Sequence, residues 1–316
     1  MVSWIRAAAC ALTCAAQVGV SVGEERPSTE RQALEDAWWT GPIVAAGANT
    51  LPPGHFLIEP YVFDSIRQDG PRNHSLGSLT YVLYGLIDDL SVGVIPRFGY
   101  NSPSSGASSS RVDVGDFMVQ GQYRLTRFRE GSWLPTLSVV LAETLPTGRY
   151  DRLGTRPSDG FGHGAYTTTL SLYSQTFLWM PNGRIVRTRL NLSYSLSSGV
   201  GVDGVSVYGT GGGFHGRARP GRSLLIDSAW EYSLTRRWVL ATDLTYEHDA
   251  STSVVGVDSA GPRHLDSGSS HALSLAPAIE YNWSSRMGVI AGAIVTPASR
   301  NVAVSLTPVV AVNMVF

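Results

Sequence analysis

Hydrophobic and polar residues alternate with period 2 along most of the chain beyond residue 54, and the clearest stretch is the last, NVAVSLTPVVAVNMVF from Asn301 to Phe316. Val302, Val304, Leu306, Pro308, Val310, Val312, Met314 and Phe316 fall on one face; Asn301, Ala303, Ser305, Thr307, Val309, Ala311 and Asn313 fall on the other. One face is oily throughout and the other is small and polar. A helix of these residues would be rich in β-branched side chains, broken at Pro308 and too short to cross a bilayer. The pattern predicts the closing strand of an outer-membrane β-barrel, and a chain that stops on a membrane-facing Phe316 resembles the terminal signal read by the barrel-assembly machinery.

The same alternation predicts about twelve strands, near 55–64, 77–86, 90–100, 112–124, 134–145, 165–177, 187–197, 223–234, 238–248, 270–283, 287–295 and 302–316, each close to the ~9–11 residues that cross a membrane when tilted. In Trp238 to Glu247, for example, Trp238, Leu240, Thr242, Leu244 and Tyr246 oppose Val239, Ala241, Asp243, Thr245 and Glu247. Strand 77–86 is apolar at both parities, so its register stays open. Connections after odd-numbered strands are mostly long and rich in Gly, Ser, Asp and Arg, with 296–301 the short exception; the others include short turns such as Ile87-Asp88-Asp89, Thr235-Arg236-Arg237 and Ser284-Ser285-Arg286. The alternation fits extracellular loops and periplasmic turns on an up-and-down antiparallel barrel with both termini periplasmic. Trp133, Trp179, Trp230, Trp238 and Trp283 all lie at or near the turns assigned to the periplasmic side and form a candidate interface girdle; Tyr100, Tyr150, Tyr166 and Tyr246 lie nearer the opposite ends.

Composition agrees: 34 Gly, 13 Tyr and 8 Trp stand beside only 16% charged residues, and the net charge of -1 argues against a nucleic-acid partner. Residues 1–23 read as a signal peptide, with Arg6 before an apolar run and cleavage before Glu24 or after Ala16. Both cysteines, Cys10 and Cys14, lie in this leader; a lipoprotein reading of Cys14 has its leucine one place out. Residues 24–53 are not strand-like. Ser28 to Trp38 suits a short helix, and the segment reads either as a periplasmic arm or as a plug or latch entering a barrel formed by 54–316. Trp38 and Trp39 beside the Gly41-Pro42 bend should dock, at the interface or in the lower mouth, where Arg31 could meet inward acids.

Leu51-Pro-Pro-Gly-His-Phe-Leu-Ile-Glu59, Tyr84-Gly-Leu-Ile-Asp-Asp-Leu-Ser-Val-Gly-Val with Pro96-Arg97-Phe98, Gly115-Asp116 with Gln122-Tyr123-Arg124, and Leu145-Pro-Thr-Gly148 resemble the outer-membrane proteins grouped as the phenol-degradation meta-pathway family. The similarity runs from about residue 51 to the end and is densest up to about 150. It implies an outer-membrane barrel that admits aromatic or other small organic compounds, and it carries no catalytic residues across.

Catalytic and metal chemistry find little support. Gly211 to Gly216 fits G-x-G-x-x-G formally but sits in a predicted loop without a βαβ context. His163, His215, His248, His264 and His271 are scattered without ligand spacing, and His271 beside Ser269 and Ser270 is only a faint hydrolase hint. No enzyme activity, cofactor or metal is expected. The charges inside strands matter more: Glu59, Arg97, Asp116, Arg124, Arg189, Asp227, Glu231, Asp243, Glu247 and Glu280 should face the lumen, because Arg on the lipid face at the midplane destabilises by ~2–4 kcal/mol and an acid by somewhat less. They either line a path or pair across the lumen and brace a closed barrel. The expected function is passive uptake of small, apolar or aromatic solutes through the outer-membrane bilayer; the competing reading is a closed structural or adhesive barrel whose long loops bind a partner.

Overall fold

The computed structural model describes residues 31–68 and 73–316; the leader expected over 1–23 lies outside them. The strands are β1 (Phe56–Arg67), β2 (Asn73–Ile87), β3 (Leu90–Ile95), β4 (Arg97–Ser102), β5 (Asp113–Val114), β6 (Phe117–Thr126), β7 (Thr136–Leu145), β8 (Thr167–Trp179), β9 (Ile185–Ser197), β10 (Val200–Asp203), β11 (His215–Arg219), β12 (Ser223–Ser233), β13 (Trp238–Asp249), β14 (Ser253–Asp258), β15 (Gly261–Asp266), β16 (Ser270–Ser284), β17 (Met287–Thr296) and β18 (Ser305–Val315). Proline has no N–H to give to a ladder, and Pro96 divides one crossing into β3 and β4. β5 and β6 likewise make one crossing together. Counted this way, twelve antiparallel crossings form a closed barrel: β18 pairs with β1, and β1 pairs with β2. Phe316 completes the seam by exchanging backbone hydrogen bonds with Phe56.

Parity separates the two faces of the wall. In β9, Leu190, Leu192, Tyr194 and Leu196 are exposed on the outside, whereas Arg187, Arg189 and Asn191 are buried inside. In β12, Ile226 and Trp230 are outward and Asp227, Ala229 and Glu231 inward. An apolar outer belt around a polar interior is the surface of a barrel seated in lipid. The open register of residues 77–86 resolves through the ladder: Glu59 faces Tyr81 and Tyr61 faces Leu79, so Leu79, Tyr81 and Leu83 point inward. Both parities are apolar there because the inward residues coat the lumen with hydrocarbon.

Two predicted loops hold structure of their own. Residues 198–222 and 250–269 contribute two hairpins that make a four-stranded sheet in the order β10-β11-β14-β15 above the barrel rim. Its buried side chains, Val200, Val202, Ala218 and Val254, pack with Ala165 and Phe214 as a small second core. The Gly211–Gly216 run is the turn leading into β11, with Gly213 at φ +77. The helix expected over Ser28 to Trp38 is, among its described residues, only a 3-10 turn, Leu34–Asp36, with no side-chain cap at its start.

Candidate functional site: the lumen and the segment that crosses it

Residues 38–51 run across the lower lumen, the end carrying the short turns, without secondary structure of their own. Such a backbone must find hydrogen-bond partners elsewhere, and the inward polar side chains supply them. The Thr40 N–H donates to Glu280 Oε2 at 2.6 Å, and the Thr40 hydroxyl donates to Asn282 Oδ1 at 3.0 Å. Asp243 accepts three successive backbone N–H groups, from Ile43 at 3.0 Å, Val44 at 3.3 Å and Ala45 at 2.9 Å. From β9, two places along the wall from β13, Arg189 Nη1 donates to the Ala45 carbonyl at 2.6 Å and Asn191 Nδ2 to that of Ala46 at 3.0 Å. Gln122 Nε2 reaches the Gly47 carbonyl at 3.0 Å, and the Leu51 N–H donates to Ser91 Oγ at 2.8 Å. Gly41 adopts φ +129 with the Arg189 guanidinium close against it, so a side chain there would meet both backbone strain and that group. On the opposite side Ile43 packs with Tyr61, Ala276, Ile290, Val309 and Ala311 in an apolar cluster.

Beneath these bonds lies a buried charge network. Arg187 grips Glu231 with two hydrogen bonds, and Arg189 lies 3.2 Å from Glu231 Oε2 as an ion pair without hydrogen-bond alignment. Glu231 is 0% exposed, so both arginines are held by one carboxylate away from bulk water. Arg187 also stacks over the Trp39 ring, 4.7 Å from its centroid. Arg187 was not singled out from the sequence, although it shares the parity of Arg189; its place at a strand end hid it.

The remaining candidates separate into groups. Glu59, Arg97, Asp116, Arg189 and Glu247 border a cavity of about 930 Å³ that extends from Ser285 and Val315 at the lower end, past the crossing segment, to Gly221, Thr252 and Gly268 beneath the outer sheet. Glu247 also borders an adjoining cavity of about 450 Å³ beside Arg67 and Thr296. Asp116 tethers an upper loop inward, accepting the Gly148 N–H at 3.0 Å and the His163 N–H at 2.7 Å. Asp227 is buried with inward parity, and neither of its carboxylate oxygens has a hydrogen-bond partner among the described residues. Arg124 stands at the lower rim, its Nε 3.0 Å from Asp89 Oδ1 and its Nη2 2.7 Å from the Asp88 carbonyl. Hydrogen bonds from Arg127 and Arg124 hold the Asp89 carboxyl below its usual range.

The cavity walls differ in chemistry. On β8 and β9, Thr167 with Ser197, Thr169 with Ser195, and Ser171 with Ser193 form three hydroxyl pairs at 2.8 Å each. Leu57, Tyr81, Leu83, Ile95 and Met118, from β1, β2, β3 and β6, border the same cavity. Neither wall was foreseen as a unit, because serine and threonine at inward positions look like ordinary sheet residues until their neighbours are known.

The aromatic candidates divide as well. Trp230, Trp238 and Trp283 lie exposed on the outer face near the lower end, and Tyr281 packs between the last two, 4.7 Å and 5.7 Å away by ring centroid. Trp133 is exposed in the turn after β6. Trp179 departs from the girdle expectation: it has inward parity, donates its indole N–H to the Gln32 carbonyl at 2.8 Å and carries Arg31 over its ring at 4.0 Å. Arg31 in turn pairs with Glu130 at 2.6 Å rather than with an inward acid. Tyr150 is likewise not in an upper girdle; its hydroxyl donates to the Gly201 carbonyl at 3.1 Å in the loop packed against the outer sheet.

A family model described as "Putative MetA-pathway of phenol degradation" matches residues 40–307. The chain belongs to that family. No curated protein matches it in sequence. Among solved structures it is similar to an outer-membrane channel from Pseudomonas putida F1, at 15% identity and a TM-score of 0.63, covering 87% of this chain and 100% of the other. More distant barrels include the translocator domain of the autotransporter NalP from Neisseria meningitidis, at 12% identity, a TM-score of 0.44 and coverage of 84% and 89%. The toluene transporter TodX of Pseudomonas putida matches at 14% identity with a TM-score of 0.36 and coverage of 91% and 95%. This member of the phenol-degradation family is an outer-membrane β-barrel of twelve crossings.

Proposed function

We propose that the protein is a channel for passive passage of small, apolar or aromatic organic molecules across the outer membrane, with residues 38–51 acting as a plug in its lower lumen. The observation that carries this reading is the cavity of about 930 Å³, lined by hydroxyl pairs on β8 and β9 and by Leu57, Tyr81, Leu83 and Met118 on β1, β2 and β6. Its size is that of a small-molecule site, and its two walls suit a flat solute with one polar edge. A water-filled pore would have little need for a hydrocarbon wall; a purely structural barrel would fill this space with side chains. The family's description points to the same solute class.

In this mechanism the upper loops, drawn inward by Asp116, narrow the entrance, and solute partitions from water onto the apolar wall. The hydroxyl ladder offers exchangeable hydrogen bonds, so binding stays weak enough for release. Catalysis has no part in this reading. Reconstitution into liposomes tests it: phenol-sized aromatic solutes should enter faster than charged solutes of equal size. Folded barrels that admit neither would favour the closed reading, in which the buried Arg187–Glu231 network and the crossing segment seal the lumen.

A further inference from the structure

The four-stranded sheet above the rim follows the order β10-β11-β14-β15, which repeats the order β9-β12-β13-β16 of the crossings it grows from. It is therefore an upward continuation of the barrel wall. One face is buried around Val202, Ala218 and Val254. Ladder partners share a face, so Arg217, Val255 and His264 form a row on the other one. Arg219 lies two residues on from Arg217 and projects from the same face. Both arginines are exposed, and a Cβ built on Gly199 would have Arg217 Nη2 at 3.7 Å and Arg219 Cγ at 3.8 Å, so the two side chains lie over one point at the foot of the sheet. Arg222 continues the column downward: its Nη1 is 3.4 Å from the hydroxyl of Tyr194, which belongs to the outward apolar belt.

Among the described residues none of these three arginines takes part in an ion pair, and the acids of the sheet are already engaged. Asp203 bonds Arg152 at 2.6 Å and His215 at 2.8 Å; Asp258 bonds Arg263 at 2.6 Å; Asp266 accepts from Ser251. Three like charges in a column repel one another unless an anion stands before them. Their height, directly above the apolar belt at the end carrying the long connections, is that of the headgroups of the outer leaflet. The guanidinium fork matches phosphate oxygens two at a time.

We propose that Arg217, Arg219 and Arg222 bind the phosphate groups of a phosphorylated glycolipid of the outer leaflet, of the lipid A type. The lipid would pack its acyl chains on Tyr194 and the neighbouring leucines and its phosphates on the column. The test uses the full chain in detergent micelles carrying bisphosphoryl lipid A or its dephosphorylated form, with binding read by native mass spectrometry. The phosphorylated lipid should bind at least ~10-fold more tightly, and the triple variant Arg217→Gln, Arg219→Gln, Arg222→Gln should reduce that preference below ~2-fold while keeping the heat-modifiable gel band of a folded barrel. Arg300→Gln, an exposed arginine of another upper connection, should leave the preference intact. An equal loss in that control, an unchanged triple variant, or displacement of the lipid by equimolar inorganic phosphate would each overturn the proposal, the last by showing a free-anion site.

Discussion

The two halves of the lumen solve opposite problems with the same wall. Below, the crossing segment occupies part of the space and inward charges hold it: Asp243 takes three N–H groups, Glu280 that of Thr40, and Glu231 is shared by two arginines. Above, the inward groups of β8 and β9 bond one another across the ladder and leave a cavity beside them. The strands run through both halves unchanged, so the difference comes from what the inward side chains must satisfy. Charges serve where a guest backbone has to be held in a dry place; hydroxyls serve where the guest must be able to leave.

If the lower half is closed by its guest, removing residues 24–49 should break the contrast outright. Single-channel current should rise severalfold with the strands still folded, and an unaltered current would remove the plug from the account. The next largest effect is on stability. Glu231→Ala leaves the Arg187 and Arg189 charges buried without their partner, and unfolding in denaturant should show a loss of about 3–5 kcal/mol. Asp243→Asn tests the hold on the segment itself: weakening a charge-assisted bond removes about 1.5–3 kcal/mol, so brief openings should become more frequent while the unfolding midpoint moves less than for Glu231→Ala. Recordings as quiet as those of the unaltered protein would show that Asp243 does not hold the gate.

In the upper half, Ser193→Ala and Ser195→Ala each delete one partner of a hydroxyl pair, an effect of about 1 kcal/mol. Swelling assays should show phenolic solutes slowed relative to their unhydroxylated counterparts, and an equal change for both classes would reduce the ladder to a structural role. The smallest effect concerns the outer sheet. Hydrogen bonds from Arg152 and then His215 hold the Asp203 carboxyl below its usual range. A depressed acid stabilises the fold above its unfolded pKa of ~3.9 and loses that contribution as pH falls through the folded value. Pepsin nicking of residues 198–222 should therefore accelerate only below about pH 4. Acceleration already between pH 5 and 6 would point to a different group.

Much of the barrel could be read before any coordinates. Period-2 alternation forces apolar residues such as Leu190, Leu192 and Leu196 to one face, and a polar residue on that face would meet lipid, so strand positions and inward parity follow from the residues themselves. The same logic placed Glu231, Asp243 and Glu280 inside. It failed at Trp179, whose nearness to a turn suggested a girdle although its parity was inward, and at residues 198–222 and 250–269, whose hairpins are short and interrupted by glycine.

The sequence by itself determined which residues face lipid and which face inward, because a strand has only two sides and one of them met hydrocarbon. Only the tertiary structure decided which inward groups meet. Asp243 lies 198 positions from Ala45 in the chain and Glu280 240 from Thr40, and only the closed barrel with the segment threaded into it brings them within 3 Å. Alternation carries no information about such distances. It is a local property, whereas the pairing of a buried charge depends on which strands lie opposite once the barrel has closed and on the path of a segment with no pattern of its own.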